Sequence, residues 1–241
     1  RDFPGSHLTV VLDNNSNDDL TDIEEKYRDE KAVFLRSGKN LGFGGGHNYI
    51  SRKYPSKYFL ILNSDLRFIE KSTVRRLYER LSAEKGMTAI GPKLVLEDMT
   101  RKPFDHGVLN GFRAMIKNNY GSSYWSETDS EREAAWVSGA VFMSRTHAFN
   151  SVGGFDEKFF LYKEEEDLCL RLRKNEGKIL YYPQVKVMHI GHVVARRSEH
   201  FANSMNYFLD KHFRDKLSFR FLDAVKSVKD RILYGRVRER S

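Results

Sequence analysis

Four short apolar runs along the chain each break off into polar or glycine-rich residues. They are HLTVVLDNNS from His7, KAVFLRSGKN from Lys31, YFLILNSD from Tyr58 and KILYYPQVKVMHIGH from Lys178. Runs of this length, rich in Val, Ile, Leu and aromatics and closed by turn-forming residues, predict buried strands. Helical patterns separate the first three: DDLTDIEEKYRDE carries an acidic start, and GGHNYISRKY opens with glycines. A further helix, STVRRLYERLSAEKG, has Ser72 placed as an N-cap and Gly86 as a stop. Strand and helix in alternation predict an α/β fold with a mainly parallel sheet covered on both faces. Residues 94–135, rich in Gly, Asn, Ser and Tyr, read as loops and short strands inserted over one end of that sheet, and AAWVSGAVFMSR reads as a later strand.

The stretch FLYKEEEDLCLRLR, residues 160–173, places four acids in a row ahead of an apolar and basic run. Carboxylates favour the positive end of a helix dipole, so a solvated helix start would explain the charge. The spacing says more. In a helix beginning near Lys163, Glu165, Leu168, Cys169 and Leu172 form one stripe at i, i+3, i+4 and i+7. Its apolar members must face the core, so Glu165 heads the buried face. Glu164 and Glu166 fall on mixed faces, and a single acid is expected to point inward. From Phe213 to Ile232 apolar residues again recur at helical spacing, with Lys216, Arg220, Lys226, Lys229 and Arg231 between them. Such a basic amphipathic helix suits packing on the domain, an anionic membrane surface, or a partner helix.

Composition narrows the partners. Lysine and arginine number 41 against 33 acids, a net charge of +8 in 241 residues. That balance suits nucleic acid, an anionic membrane or phosphorylated small molecules. The lone cysteine, Cys169, rules out an internal disulfide and fits a reducing compartment. No apolar run approaches the roughly 18 residues that span a bilayer, and no signal peptide is visible. The opening RDFPGSHLTVVLD reads like a connection entering a strand, so an earlier segment is expected.

Ligands of parallel α/β sheets bind beyond the carboxyl ends of the strands. At those ends stand Asp13, Asn14, Asn15 and Ser16; Asn40 with glycines 42, 44, 45 and 46; Asn63, Ser64 and Asp65; and His189. GFGGGHN fails the dinucleotide pattern at His47 and lacks a P-loop close, but its glycines free backbone N–H groups and allow close approach of a ligand. Asn63 and Asp65, two residues apart on extended chain, can address one ligand, and oxygen donors of this kind suit Mg²⁺ or Mn²⁺. His189 and His192 make a zinc H-x-x-H conceivable, with no further ligands evident.

The ordered series VVLDNNSND, NLGFGGGHN, LILNSD, WVSGAVFMSR, VGGFDEKFFLYKEEEDLCLRLR and YYPQVKVMHIGH resembles family 2 glycosyltransferases with the GT-A fold, in the branch of bacterial rhamnosyltransferases and galactofuranosyltransferases. The resemblance runs from about residue 8 to 213. It implies a GT-A domain over residues 1–198, lacking the family's first strand, and a helical segment over 199–241. It implies that Asp13 contacts the nucleotide base, with Asn40, Gly42 and Gly44 forming nearby pocket wall. Asp65 would be the metal-binding aspartate of a D-x-D motif whose first acid is Asn63 here, and His189 would complete the metal site for Mg²⁺ or Mn²⁺. Glu165 stands where the family carries its catalytic base, usually an aspartate. Ala135 replaces an acid that relatives often carry. The implied reaction is inverting transfer of a sugar from a nucleotide diphosphate, dTDP-rhamnose first and UDP-galactose or UDP-galactofuranose next, to a glycan or lipid-linked acceptor on the cytoplasmic side, where the basic tail would lie on an anionic leaflet. A nicotinamide-dependent oxidoreductase using the glycine stretch, and a basic nucleic-acid-binding module, are the rival readings; with the transferase no nucleic acid is expected.

Overall fold

The computed structural model describes residues 5–28, 30–110, 114, 117, 123–190 and 199–214. The predicted basic helix beyond Phe213 and the second histidine of H-x-x-H, His192, lie outside the described residues. In chain order the first elements are β1 (Thr9–Asp13), α1 (Thr21–Lys26), β2 (Ala32–Arg36) and α2 (Gly42–Lys53). Strands β1 and β2 pair in parallel as a two-stranded sheet, with Asp13 opposite Arg36. Next come β3 (Tyr58–Leu62), β4 (Leu66–Phe68), α3 (Thr73–Ala83) and β5 (Met87–Val95). The inserted region forms β6 (His106–Gly107), β7 (Leu109–Asn110), β8 (Ser123–Tyr124) and β9 (Arg132–Glu133). The chain then continues through β10 (Trp136–Val137), β11 (Val141–Arg145), α4 (Thr146–Ser151), α5 (Glu164–Lys174), β12 (Lys178–His189) and α6 (Glu199–Phe213).

The main sheet runs β3-β11-β5-β12-β4, with β9 also on β12. The α/β class holds, but the sheet is mixed where a mainly parallel one was expected. Within it β5 and β12 run parallel, while β11 is antiparallel to both β3 and β5, and β4 and β9 are antiparallel to β12. The reversal has a local cause. Strand β11 enters the sheet from the end where β3 leaves it, straight after a turn at residues 138–140, and β4 sets off from that same end three residues after β3.

Alternation along the strands separates two cores. Phe59, Ile61, Phe142, Ile179 and Tyr181 face α5 through Leu168, Cys169 and Leu172. Ile90, Val141, Met143, Leu180 and Val187 face α3 through Leu77 and Leu81. Helix α3 starts one residue after Ser72, as expected, but the Ser72 side chain makes no capping hydrogen bond.

The glycine stretch is helix rather than loop, since α2 begins at Gly42. Glycine disfavours helix by about 1 kcal/mol per residue relative to Ala, so packing decides here. A Cβ on Gly42, which has φ +72°, would lie 2.7 Å from the Phe160 carbonyl oxygen, and one on Gly44 would lie 2.8 Å from Phe155 Cβ. The missing side chains therefore let α2 approach residues 155–160. Helix α6 docks on the opposite flank of α5: Phe208 and Phe213 pack with Phe159 in a third apolar cluster. Among the described residues no helix is long and apolar enough to cross a membrane.

Candidate functional site

Contacts between distant segments bring the polar strand ends to one rim. At the end of β1, Asn14 Nδ2 donates to Asn40 Oδ1 at 3.2 Å and to the Gly42 carbonyl at 3.1 Å, and its Oδ1 accepts from the Leu41 N–H at 2.9 Å. Asn14 is thus the staple between β1 and α2, and the Asn40 side chain is committed to that staple and to the Gly42 N–H. Beside it, a polar cleft of about 410 Å³ is lined by Asp13, Ser16, Asp19, Thr21, Arg36 and Gly38. Asp13 Oδ1 accepts from the Ser16 N–H at 2.7 Å, and that bond holds its carboxyl below the usual range.

Phe43, the second residue of α2, reaches the turn at 138–140: a Cβ on Gly139 would lie 3.1 Å from Phe43 Cζ and 3.6 Å from Glu165 Cβ. From the other side of the same turn, the Ala140 carbonyl accepts from the Asn63 N–H at 2.9 Å. Asp65 follows two residues later. Its carbonyl accepts from the Ile190 N–H at 2.9 Å, and its carboxylate lies 3.0 Å from His189 Nε2. The turn therefore links Glu165 on one side with Asn63, Asp65 and His189 on the other. Asp13 joins through Asn14 and α2. Asp13, Asn40, Asn63, Asp65, Glu165 and His189 are thus joined by a relay of contacts, while Gly42 and Gly44 turn the faces where a Cβ would project towards Phe160 and Phe155.

The four acids of α5 correct one expectation. Glu164, Glu166 and Asp167 are buried, whereas Glu165, the acid expected to point inward alone, is half-buried, with its Oε2 shut off from solvent. Two elements beyond the reach of a local pattern cover the other faces. Lys163, at the helix start, donates to Glu166 Oε1 at 2.6 Å and to Ser123 Oγ at 2.9 Å, and Ser123 in turn bonds the other Glu166 oxygen. Asp167 takes Arg171 Nη2 at 2.6 Å on one oxygen, and Lys211 at 2.6 Å and His212 at 2.7 Å from α6 on the other. Burial alone would raise Asp167; hydrogen bonds from His212, Arg171 and Lys211 and the Arg171 charge outweigh it and hold the group at about 2. Glu165 differs. Its Oε2 is buried without a hydrogen-bond partner. Burial first, and the Glu166 charge second, push Glu165 up to about 7, with the Gly139 backbone N–H pulling the other way. Burial also raises Glu164, whose Oε2 is similarly unpartnered. A carboxyl poised near neutrality is suited to accept a proton at physiological pH.

Asp65 and His189 supply one carboxylate and one imidazole; among the described residues no group of three or more His, Cys, Asp or Glu side chains could hold a metal ion. Two protein donors fit an Mg²⁺ or Mn²⁺ ion whose other positions go to substrate oxygens and water. They do not make a closed zinc site. Sequence reasoning missed Lys102, whose ammonium contacts His189 Nδ1. Burial lowers Lys102, opposed by the Asp65 charge; burial also lowers His189, helped by Lys102 and opposed by Asp65. It also missed the role of Gly139, for which the small-residue run Ser138-Gly139-Ala140 was the available signal.

The model of glycosyl transferase family 2 matches residues 9–132, more than half of the chain. N-acetylglucosaminyl-diphospho-decaprenol L-rhamnosyltransferase of Mycobacterium tuberculosis is 27% identical over 204 residues, covering 76% of this chain and 66% of the relative. Rhamnosyltransferase WbbL of Escherichia coli is 27% identical over 238 residues, covering 91% and 87%. Among solved structures, GalNAc-T7 with UDP, GalNAc and Mn²⁺ superposes with a TM-score of 0.66 at 12% identity, over 86% of this chain and 42% of that one. The chain thus spans just under two thirds of the mycobacterial relative and less than half of GalNAc-T7. The fold is the GT-A fold. With the family model over residues 9–132 and the polar strand ends gathered on one rim, the chain belongs to glycosyl transferase family 2.

Proposed function

We propose that this protein is an inverting glycosyltransferase that moves a sugar from a nucleoside diphosphate donor to an acceptor hydroxyl in cell-surface polysaccharide synthesis. The observation that carries the reading is the 138–140 turn, with a buried, unpartnered carboxylate oxygen of Glu165 on one side and Asp65 with His189 on the other. In-line displacement needs this arrangement: a base for the attacking hydroxyl on one side of the anomeric carbon and charge neutralisation at the leaving diphosphate on the other. Glu165 accepts the hydroxyl proton as the oxygen attacks. A raised carboxyl does this better than an ordinary one, because its basicity lies closer to the working pH. Charge develops on the sugar ring as in glycoside hydrolysis. Asp13 and Arg36, facing each other across the ends of β1 and β2 in the polar cleft, are placed to hold the nucleoside. A divalent cation held by Asp65 and His189 would supply Lewis-acid neutralisation of the diphosphate.

The names of two relatives, both rhamnosyltransferases and one acting on a lipid-linked sugar, support a rhamnose donor and a glycan or lipid-linked acceptor; the donor we put first is dTDP-rhamnose, ahead of UDP-galactose and UDP-galactofuranose. A surplus of cations suits a diphosphate donor and a site of action on the cytoplasmic leaflet. The test is a thermal-shift panel of nucleotide sugars and NAD, with Mn²⁺, with Mg²⁺ and with excess chelator, followed by transfer assays on the best donor. The expected result is stabilisation by dTDP-rhamnose that requires the divalent ion. A shift with NAD and none with any nucleotide sugar would replace the transferase with an oxidoreductase. Full transfer in excess chelator would remove the metal from the reading.

A further inference from the structure

Lys102 is held on a rigid support. Its N–H donates to the Leu94 carbonyl at 2.9 Å, closing a hairpin in which Val95 bridges Arg101. Arg101 anchors that hairpin through Nη1 to the Thr128 carbonyl at 2.6 Å and by ion pairs to Glu127 and Asp129. Leu94 and Val95 pair with Val187 and Met188, so the return of the hairpin lies across β5 from the end of β12. There the Lys102 ammonium meets His189 Nδ1, and His189 Nε2 faces the Asp65 carboxylate at 3.0 Å.

Hydrogen-bond chemistry makes this chain directional. An ammonium has three donors and no acceptor, so the ring nitrogen that faces it must be bare. The proton of the neutral imidazole then sits on Nε2 and points at Asp65. A metal ion shared by Asp65 and His189 needs a bare Nε2 and a proton on Nδ1, and that tautomer has nothing to offer an ammonium. With Lys102 charged, its contact with His189 and metal ligation by His189 exclude each other. When the ring changes tautomer, one proton leaves Nε2 and one arrives on Nδ1 through solvent, with no change in net charge. The released ammonium remains beside the leaving-group site, where the nearest new anion is the diphosphate.

We propose that Lys102 is a ligand of the donor's diphosphate: its contact with His189 is one it would give up to the phosphates if His189 and Asp65 held a divalent cation. The proposal rests on the transferase reading and deepens it: the leaving group meets a fixed protein cation as well as the metal.

The test reads the imidazole itself. Nitrogen-15 NMR of the metal-free wild-type chain, with His189 identified by its loss in His189→Gln, is expected to show the proton on Nε2. Addition of Mg²⁺ with UDP or dTDP is expected to move it to Nδ1. Lys102→Met should lose the Nε2–H preference in the metal-free state. In calorimetry with Mg²⁺, the same variant should bind the nucleoside diphosphate about tenfold to a hundredfold more weakly, the size of a charge-assisted hydrogen bond. A proton on Nδ1 in the metal-free wild type would overturn the proposal without any variant being made, as would Nε2–H persisting in the ternary complex. Undiminished binding by Lys102→Met beside normal wild-type binding would overturn the role of Lys102 alone. Failure of the wild type to bind any nucleoside diphosphate would overturn the transferase reading with it.

Discussion

Glu165→Gln removes one charge from the site and almost no volume, so it separates chemistry from architecture. The folded carboxyl sits at about 7 against an ordinary value of 4.5. Between those limits the folded chain holds a proton that the unfolded chain has released, so wild-type stability falls as pH rises through the window. A displacement of that size corresponds to roughly 3 kcal/mol. Glutamine carries no such liability. The variant should match the wild type near pH 4.5 and exceed it by roughly 3 kcal/mol at pH 8, a gain of about 6–12 °C in Tm for a chain of this length. Transfer should fall by about 10²–10⁴, the usual worth of a general base. The wild-type rate should rise with pH to a plateau just above neutrality, and the residual rate of the variant should not. Glu164→Gln is the companion, because Glu164 is also buried and raised but Glu165 is the acid set against Gly139. It should keep far more activity. The assays are sugar transfer across pH 5–9 and chemical denaturation at pH 4.5 and pH 8. A Glu165→Gln enzyme that transfers at nearly the normal rate would refute the assignment. A stability difference that stays constant from pH 4.5 to 8 would refute the electrostatic reasoning even if activity were lost.

Two further substitutions test the supports of the site. Gly44→Ala places a Cβ 2.8 Å from Phe155 Cβ and should cost about 1–3 kcal/mol despite alanine's better helix propensity; Gly86→Ala, with nothing within 4 Å, should stay within about 0.5 kcal/mol in the same urea melts. Asp167→Asn leaves Arg171, Lys211 and His212 without their shared anion and should destabilise the chain by about 3–5 kcal/mol at pH 7. Asp167 is depressed to about 2 from 3.8, so its contribution is complete above pH 4 and is lost as pH falls towards 2. The gap between the two proteins, read by denaturation at several pH values, should narrow only below about pH 4.

What was legible in the sequence was local. Strand ends carry their polar residues with them, so Asp13, Asn63, Asp65 and His189 could be placed on one rim from four apolar runs and the rule that ligands bind beyond strand ends. The stripe through Leu168, Cys169 and Leu172 likewise directed Glu165 inward without any partner being known. Long-range contacts were not legible. Lys102 reaches His189 across 87 residues, and no periodicity announces a single lysine in a hairpin. Nor was the reason for Gly42 and Gly44 legible: glycine weakens a helix, yet Phe155 and Phe160, more than a hundred residues away, fill the space and override that preference. The strand directions escaped for a similar reason: alternation of elements reports layers, while β11 runs backwards because of where its turn lies.

The α5 acids are enclosed to different degrees: Glu164, Glu166 and Asp167 are buried, while Glu165 is half-buried with its Oε2 out of contact with solvent. A helix that encloses adjacent carboxylates would be unstable if each kept its charge without a partner. The fold resolves this unequally. Lys163 and Ser123 take Glu166, while Arg171, Lys211 and His212 take Asp167 and hold its carboxyl at about 2. Among the described residues Glu165 forms no ion pair; burial and then the Glu166 charge raise it, opposed in part by the Lys163 charge. Pairing its neighbours is thus part of what makes Glu165 basic. Helix α6 enters the chemistry by this route: its Lys211 and His212 keep Asp167 ionised and α5 in place from the face opposite the turn. Loss of α6 docking should therefore disturb Glu165 through the position of its helix.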